Sequence, residues 1–423
     1  MTDVRDVKDL KVIHIWDAYA PTLFDRTHPY LLAQPGFDSL LIAAHLIENQ
    51  ASVLPHTVYL DTRAVSDDIL PPFWTRLRRR IRREASELVR SLARHRSPGS
   101  WLGSAPLTLS QFNRFCLTHT REFGGELIHA HFGTTAVRTL PFIRASGLPA
   151  IVTFYGVDGS ASIRIPAWRE SFREMFGRMS RVIVLCDAVR DRLLAIGCPP
   201  EKLLVWNLPA GVEDYPCKPR TTSGGPVRFL IGARFVEKKG HAYLLDAFES
   251  IIRDGVDARL TMIGYGPLKE SIVASVHRRG LDSRIAVVDT QLDSSFADVY
   301  RSALDSHDIF VLPSTTSSSG DDEGGPALTM VCAQAAGLPA ISTPFAGAER
   351  TMIDGVTGFL CRQDDAASLA ERMRWLAGHP EIWNTIGKAA SDLVRAEFSL
   401  AGQMTKLLEV YRAAAADPHG PRH

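Results

Sequence analysis

The sequence predicts an α/β protein of two doubly wound domains facing each other across a cleft. Two observations carry this. Short β-branched or apolar runs alternate with longer helical stretches; the alternation stops at the polar segment CKPRTTSGGP (217–226) and then restarts. The 423-residue length fits two or three domains at roughly 100–200 residues each.

In the first series KVIHIW (11–16), ELIHAH (126–131), AIVTFY (150–155), RVIVLC (181–186) and KLLVW (202–206) read as buried parallel strands, with helices between them at 134–146 and 187–196. The second series has VRFLIGA (227–233), RLTMIG (259–264), IAVVD (285–289), DIFVLP (308–313) and LPAIST (338–343). From about residue 379 the chain reads as helical. No fixed-period repeat is seen.

Composition excludes several classes. Lys plus Arg is 48 and Asp plus Glu is 47, a formal charge of +1, which lacks the strongly basic footprint of a nucleic-acid binder. The six cysteines form no C-x-x-C pair, a pattern that fits free thiols in a reducing compartment. The N-terminus MTDVRDVKDLK has no apolar signal core, and the longest nearly apolar run, SLLIAAHLI, is interrupted by His45 and is far short of the ~20 residues of a spanning helix. The expected location is cytoplasmic.

The second series holds most of the candidate chemistry. GARFVEKKG (232–240) joins a strand to a helix beginning near His241. Such a junction offers free amides and a positive helix end to phosphate, and Arg234 and Lys239 flank it. As loop cations they serve either phosphate or solvent. GYGP (264–267) is a second tight turn, where backbone can approach a ligand. In DDEGGPALTMVCAQAAGLP (321–339), Glu323 precedes Gly324, Gly325 and Pro326 at the head of a helical run. A carboxylate that accepts from sugar hydroxyls, beside amides that donate to phosphate, suits a nucleotide sugar. The acidic cluster also reads as an ordinary helix cap.

Together with DGVTGFL (354–360), these segments resemble the donor domain of the family 4 retaining glycosyltransferases, and IHAHFG (128–133), VTFYGVDGS (152–160) and GVED (211–214) agree in the first half. The resemblance covers about residues 125–415 and is nearest to the bacterial exopolysaccharide and colanic-acid-type enzymes. It implies the GT-B fold: an acceptor-binding Rossmann-like domain over 1–216, a linker over 217–226, a nucleotide-sugar donor domain over 227–396, and a C-terminal helix and tail over 397–423 crossing back to the first domain. It further implies transfer of a hexosyl unit, with retention, from a UDP- or GDP-sugar to a saccharide or polyprenyl-linked acceptor. No cofactor or metal is expected, and no D-x-D triplet occurs to clamp one.

Carried over residue by residue, Arg234 and Lys239 would hold the donor diphosphate and Glu323 would lie near the transferred sugar. Gly324, Gly325 and Pro326 would contact sugar and phosphate, and Gly264 the nucleoside. The family's second glutamate falls on Cys332, a weak hydrogen-bonding group where a carboxylate would hold ribose. Tyr155 stands where many relatives have histidine, which leaves Asp158 and His131 as further acceptor-orienting candidates. A non-catalytic sugar-nucleotide-binding subunit and a nucleotide-sugar 2-epimerase are the alternatives on the same fold.

One segment lies outside this pattern. Between Phe73 and Arg96 there are nine Arg and two Glu, while Leu77, Ile81, Ala85, Leu88 and Leu92 form one helical stripe, flanked by Trp74 and Trp101. It reads either as a helix packed on the domain with solvated arginines, or as an amphipathic helix for an anionic membrane at the inner face of the plasma membrane.

Overall fold

A computed structural model describes residues 10–19, 37–46, 57–59, 109–220, 224–290 and 295–416. The basic segment 73–96, with Trp74 and Trp101, lies outside the described residues. Among the described residues no helix is long and apolar enough to cross a membrane.

The first sheet comprises β1 (Leu10–Tyr19), β2 (Phe37–Leu46), β3 (Thr57–Tyr59), β4 (Leu127–His131), β5 (Ala150–Thr153), β6 (Arg181–Val184) and β7 (Leu203–Val205), in the order β3-β2-β1-β4-β5-β6-β7. The second comprises β8 (Val227–Gly232), β9 (Ala258–Gly264), β10 (Ile285–Asp289), β11 (Ile309–Leu312), β12 (Ala340–Ser342) and β13 (Phe359–Leu360), in the order β10-β9-β8-β11-β12-β13. Every pairing is parallel. Helices on both faces of a parallel sheet bury its central strands completely, which is why every residue of β4, β5 and β11 is buried, the polar His129, His131 and Thr153 included.

The described helices are α1 (Leu109–Phe123), α2 (Gly133–Arg138), α3 (Leu140–Ser146), α4 (Gly156–Gly159), α5 (Pro166–Phe176), α6 (Asp187–Ala195), α7 (His241–Arg253), α8 (Lys269–Arg278), α9 (Ser295–Ser306), α10 (Leu328–Ala335), α11 (Ala366–Ala377), α12 (Trp383–Phe398) and α13 (Leu400–Ala415). The single helix predicted over 134–146 is two, because Pro141 near the start of α3 has no N–H to continue a helix through Thr139. Three strands are additional to the ten predicted. β2 takes in SLLIAAHL (39–46) and pairs with β1 from Leu10↔Phe37 to Tyr19↔Leu46; β3 and β13 are only two or three residues long.

The last two helices join the two halves. α12 packs on the second domain, where Val394 and Phe398 meet Val331 and Ala335, and on Ala210 and Val212 at the end of the first. After Ser399 the chain crosses, and Met404, Leu407, Tyr411 and Ala414 of α13 close over Val12, Leu127, Ile151, Ile183 and Trp206 of the first. Trp206 Nε1 donates to the Gln403 carbonyl at 3.2 Å, and Tyr411 Oη lies 2.6 Å from His129 Nδ1. Burying such side chains contributes about 1.5–3 kcal/mol each.

Strand order reverses between β1 and β4 in one sheet and between β8 and β11 in the other. Loops leave such a point in opposite directions and open a crevice at the carboxyl ends of the strands. The two crevices face each other.

Candidate functional site

Four loops build the site. From the second sheet come the loop after β8, which carries Arg234 to Gly240, and the loop after β11, which carries Ser314 to Pro326. From the first come Phe132 after β4 and Tyr155–Ser160 after β5. Between them lies a cavity of about 660 Å³, lined by Phe132, Gly156 and Val157 on one side and by Arg234, Lys239 and Glu323 on the other.

Lys239 and Glu323 meet there. Lys239 Nζ donates to both carboxylate oxygens at 2.7 Å, and Ser314 Oγ donates to Oε1 at 2.6 Å. The two side chains are only 12% and 6% exposed, so little water competes for the pair. Burial alone would raise the Glu323 carboxyl, but Lys239, Lys238 and the Ser314 hydroxyl hold it below the ordinary glutamate range. Glu323 is therefore an anion, and its stabilising contribution is present above the unfolded carboxylate range and lost as pH falls through its lowered value. Arg234 is exposed on the cavity wall.

The loop's shape depends on glycine. Gly240, at φ +69°, enters α7 with its missing Cβ only 1.8 Å from the Pro313 carbonyl oxygen. Both the angle and the contact exclude a side chain. His241 behind it is buried, and burial pulls its imidazole down to about 3, so it is neutral. Gly264 ends β9 with its Cβ position 1.9 Å from the Ala233 oxygen; the glycine is set by that crossing, and the neighbouring Tyr265 lines the cavity. Gly324 sits at φ +64° with its Cβ position 2.7 Å from Gly156 Cα, and Gly325 faces Leu185. These two glycines therefore bring the second domain against the first, while Pro326 lines the cavity.

Cys332, Tyr155 and Asp158, also predicted, do not line the cavity. Cys332 is on α10, and its Sγ donates to the Ala210 carbonyl at 3.5 Å; Thr329, one helical turn earlier, is the residue of α10 that lines the cavity with Leu328. Tyr155 and Asp158 stand behind the wall rather than on it. Tyr155 Oη lies 2.8 Å from His131 Nδ1, and its ring packs 4.6 Å from that of Phe132. Asp158 accepts from the Gly133 N–H at 2.7 Å and from the Tyr155 N–H at 2.8 Å, tying the loop after β4 to the loop after β5. Full burial raises its carboxyl to about 6, against the opposing pull of those amides.

Because that value is raised, the contribution of Asp158 to stability is fully present below its unfolded value near 4 and lost as pH rises through about 6. Asp158→Asn should remove this dependence. Urea midpoints of the parent should fall relative to the variant by the equivalent of about 3 kcal/mol between pH 4 and pH 7; parallel curves would contradict the assignment.

His14, His129 and His131 place their ring nitrogens within 4.8 Å of one another. Hydrogen bonds occupy those nitrogens: His131 bonds His14 at 3.0 Å and Tyr155, and His129 bonds Tyr411 and, at 2.8 Å, Thr153 Oγ1. Both nitrogens of His129 and of His131 are engaged in this network.

Sequence reasoning missed Lys238, Ser314, Phe132 and Thr329. Lys238 had a signal in the doublet of Glu237–Lys239: the tight turn there aims consecutive side chains apart, so Lys238 reaches Asp321 while Lys239 reaches Glu323. Phe132 is marked by its backbone, at φ 75°, a conformation rare for an aromatic residue and concentrated at functional sites.

Residues 226–379 match the glycosyl transferases group 1 family, and residues 43–208 match the glycosyl transferase 4-like domain. The chain belongs to the family 4 glycosyltransferases. Among curated relatives of this glycosyltransferase, the putative colanic acid biosynthesis glycosyltransferase WcaL of Salmonella typhimurium is 28% identical over 61% of this chain and 63% of its own. The amylovoran biosynthesis glycosyltransferase AmsK of Erwinia amylovora is 27% identical over 70% and 72%. The match thus spans just under two thirds of WcaL. Solved structures show the fold to be GT-B: a glycosyltransferase from Rickettsia africae superposes with a TM-score of 0.66 at 15% identity, covering 97% of this chain and 100% of that one. Anabaena Alr3699/HepE in complex with UDP and glucose gives 0.70 at 13%, covering 96% and 100%.

Proposed function

We propose that this protein moves a hexosyl unit from a nucleotide-diphosphate sugar to a saccharide or lipid-linked acceptor in polysaccharide biosynthesis, with retention of anomeric configuration. The observation that carries this is the Lys239–Glu323 pair beside Arg234 in the cavity between the domains. Arg234 and Lys239 would neutralise the departing diphosphate, preorganised as cations in a partly dry site, and Glu323 would accept from sugar hydroxyls. Among the described lining residues the carboxylates are Asp321, Glu323 and no others, and each is paired with a lysine. Neither is placed as a free nucleophile, which supports front-face transfer. The solved structure of the same fold that holds UDP-glucose supports a nucleotide sugar as donor, and the colanic acid and amylovoran biosynthesis named for WcaL and AmsK supports a polysaccharide as product. A lipid-linked acceptor rests on the basic segment 73–96.

The test is incubation with UDP-, GDP- and dTDP-sugars, followed by NMR. One donor should bind and hydrolyse slowly to nucleoside diphosphate and a sugar that first appears in the donor's anomeric form. An inverted sugar would refute retention, an isomerised nucleotide sugar would favour the 2-epimerase, and binding without turnover would favour a sugar-nucleotide-binding subunit.

A further inference from the structure

Asp321, Asp322 and Glu323 are consecutive, yet only Glu323 is held wholly by its own domain. Asp321 Oδ2 lies 2.9 Å from Lys238 Nζ, while its Oδ1 accepts from Ser160 Oγ of the first domain at 3.0 Å. Asp322 Oδ2 accepts from Arg192 Nη2, on α6 of the first domain, at 2.6 Å, and the Asp322 side chain is 7% exposed. Arg192 Nη1 also donates to the Gly159 carbonyl at 3.3 Å, within the turn whose Gly156 meets Gly324. Elsewhere the domains are joined by chain: Asn207 Nδ2 donates to the Glu397 carbonyl at 3.1 Å, and the Leu400 N–H to Glu213 Oε1 at 2.8 Å, on either side of the crossing at Ser399.

Besides the covalent crossings, a charged clasp therefore joins the domains, and it ends one residue before Glu323. We infer that Arg192 and Asp322 form a latch through which the first domain sets the position of Glu323. The donor site is complete only when the latch is made, since Phe132, Gly156 and Val157 form its far wall. A carboxylate that is nearly buried when paired leaves a strong penalty if its partner alone is removed, so loss of Arg192 favours separation, in which Asp322 regains water. Only the role of Glu323 rests on the transferase reading; the latch does not.

The test uses the full chain with exposed Cys217 changed to Ser and spin labels at two exposed positions, Glu201→Cys in the first domain and His277→Cys in the second. Without ligand the parent should give one narrow distance. Arg192→Met should add a longer, dominant population, Arg192→Lys should restore the short one, and Arg144→Met, which removes an exposed pair within the first domain, should change nothing. If the latched fraction falls to about one tenth, the Kd for UDP should rise about tenfold. An Arg192→Met distribution identical to the parent's would overturn the latch. A parent that binds neither UDP nor another nucleoside diphosphate would instead count against the nucleotide-sugar reading, leaving the distances to decide the latch.

Discussion

Glu323→Gln should lower glycosyl transfer by about 10²–10³-fold, the range found when one preorganised electrostatic partner is removed from a catalytic site. Lys239→Met should do the same. Their stabilities should differ from that of the double variant in an informative way. Each single change leaves one charge buried and unanswered in a site where the two side chains are 6% and 12% exposed, at a cost of about 3–5 kcal/mol. Removing both charges removes the cause of the penalty. The double variant should therefore recover most of the stability and none of the activity. Urea denaturation and donor turnover on the same preparations read the two quantities separately. A double variant as unstable as the sum of the singles would show that the pair is not coupled, and a fully active Glu323→Gln would remove Glu323 from the mechanism.

A second large effect is expected at Gly240. Alanine there must take φ +69° and place its Cβ 1.8 Å from the Pro313 oxygen. The angle alone costs roughly 1–2 kcal/mol for a residue with a side chain. The contact is with backbone at the end of β11, so relief requires moving the loop that carries Lys239. Gly255 provides the control: its φ is +87°, but nothing lies within 4 Å of its Cβ position. Gly255→Ala should cost only about the conformational 1–2 kcal/mol, and Gly240→Ala more than about 3 kcal/mol, with loss of donor binding. Equal urea midpoints for the two variants would show that the loop moves freely and that the contact with Pro313 is unimportant.

Much of this was legible in the chain. Ten strands announce themselves because parallel strands covered by helices on both faces are predominantly apolar and β-branched. β2 escaped because an apolar run of that kind carries no period to tell strand from helix. Arg234, Lys239 and Glu323 were legible because strand-to-helix loops at a sheet reversal must face the crevice. Tyr155 and Asp158 were read into the same crevice, and there spacing fails: α4 turns the Asp158 carboxylate back onto the amides of Gly133 and Tyr155. A motif specifies which loop reaches a site but not which side of the loop a side chain takes. Cys332 illustrates the same limit on a helix, where it faces Ala210 and Thr329 takes the cavity side.

The crossing at Ser399 also orders events during synthesis. The first domain is built from two stretches of chain with the whole second domain between them, and His129 waits for a partner 282 residues later in Tyr411. At roughly 5–20 residues per second of translation, the face formed by Val12, Leu127, Ile151 and Ile183 stays uncovered on the order of tens of seconds. The domain begun first is thus the one completed last, and a chain that ends before α13 is left with an open apolar face on its first sheet.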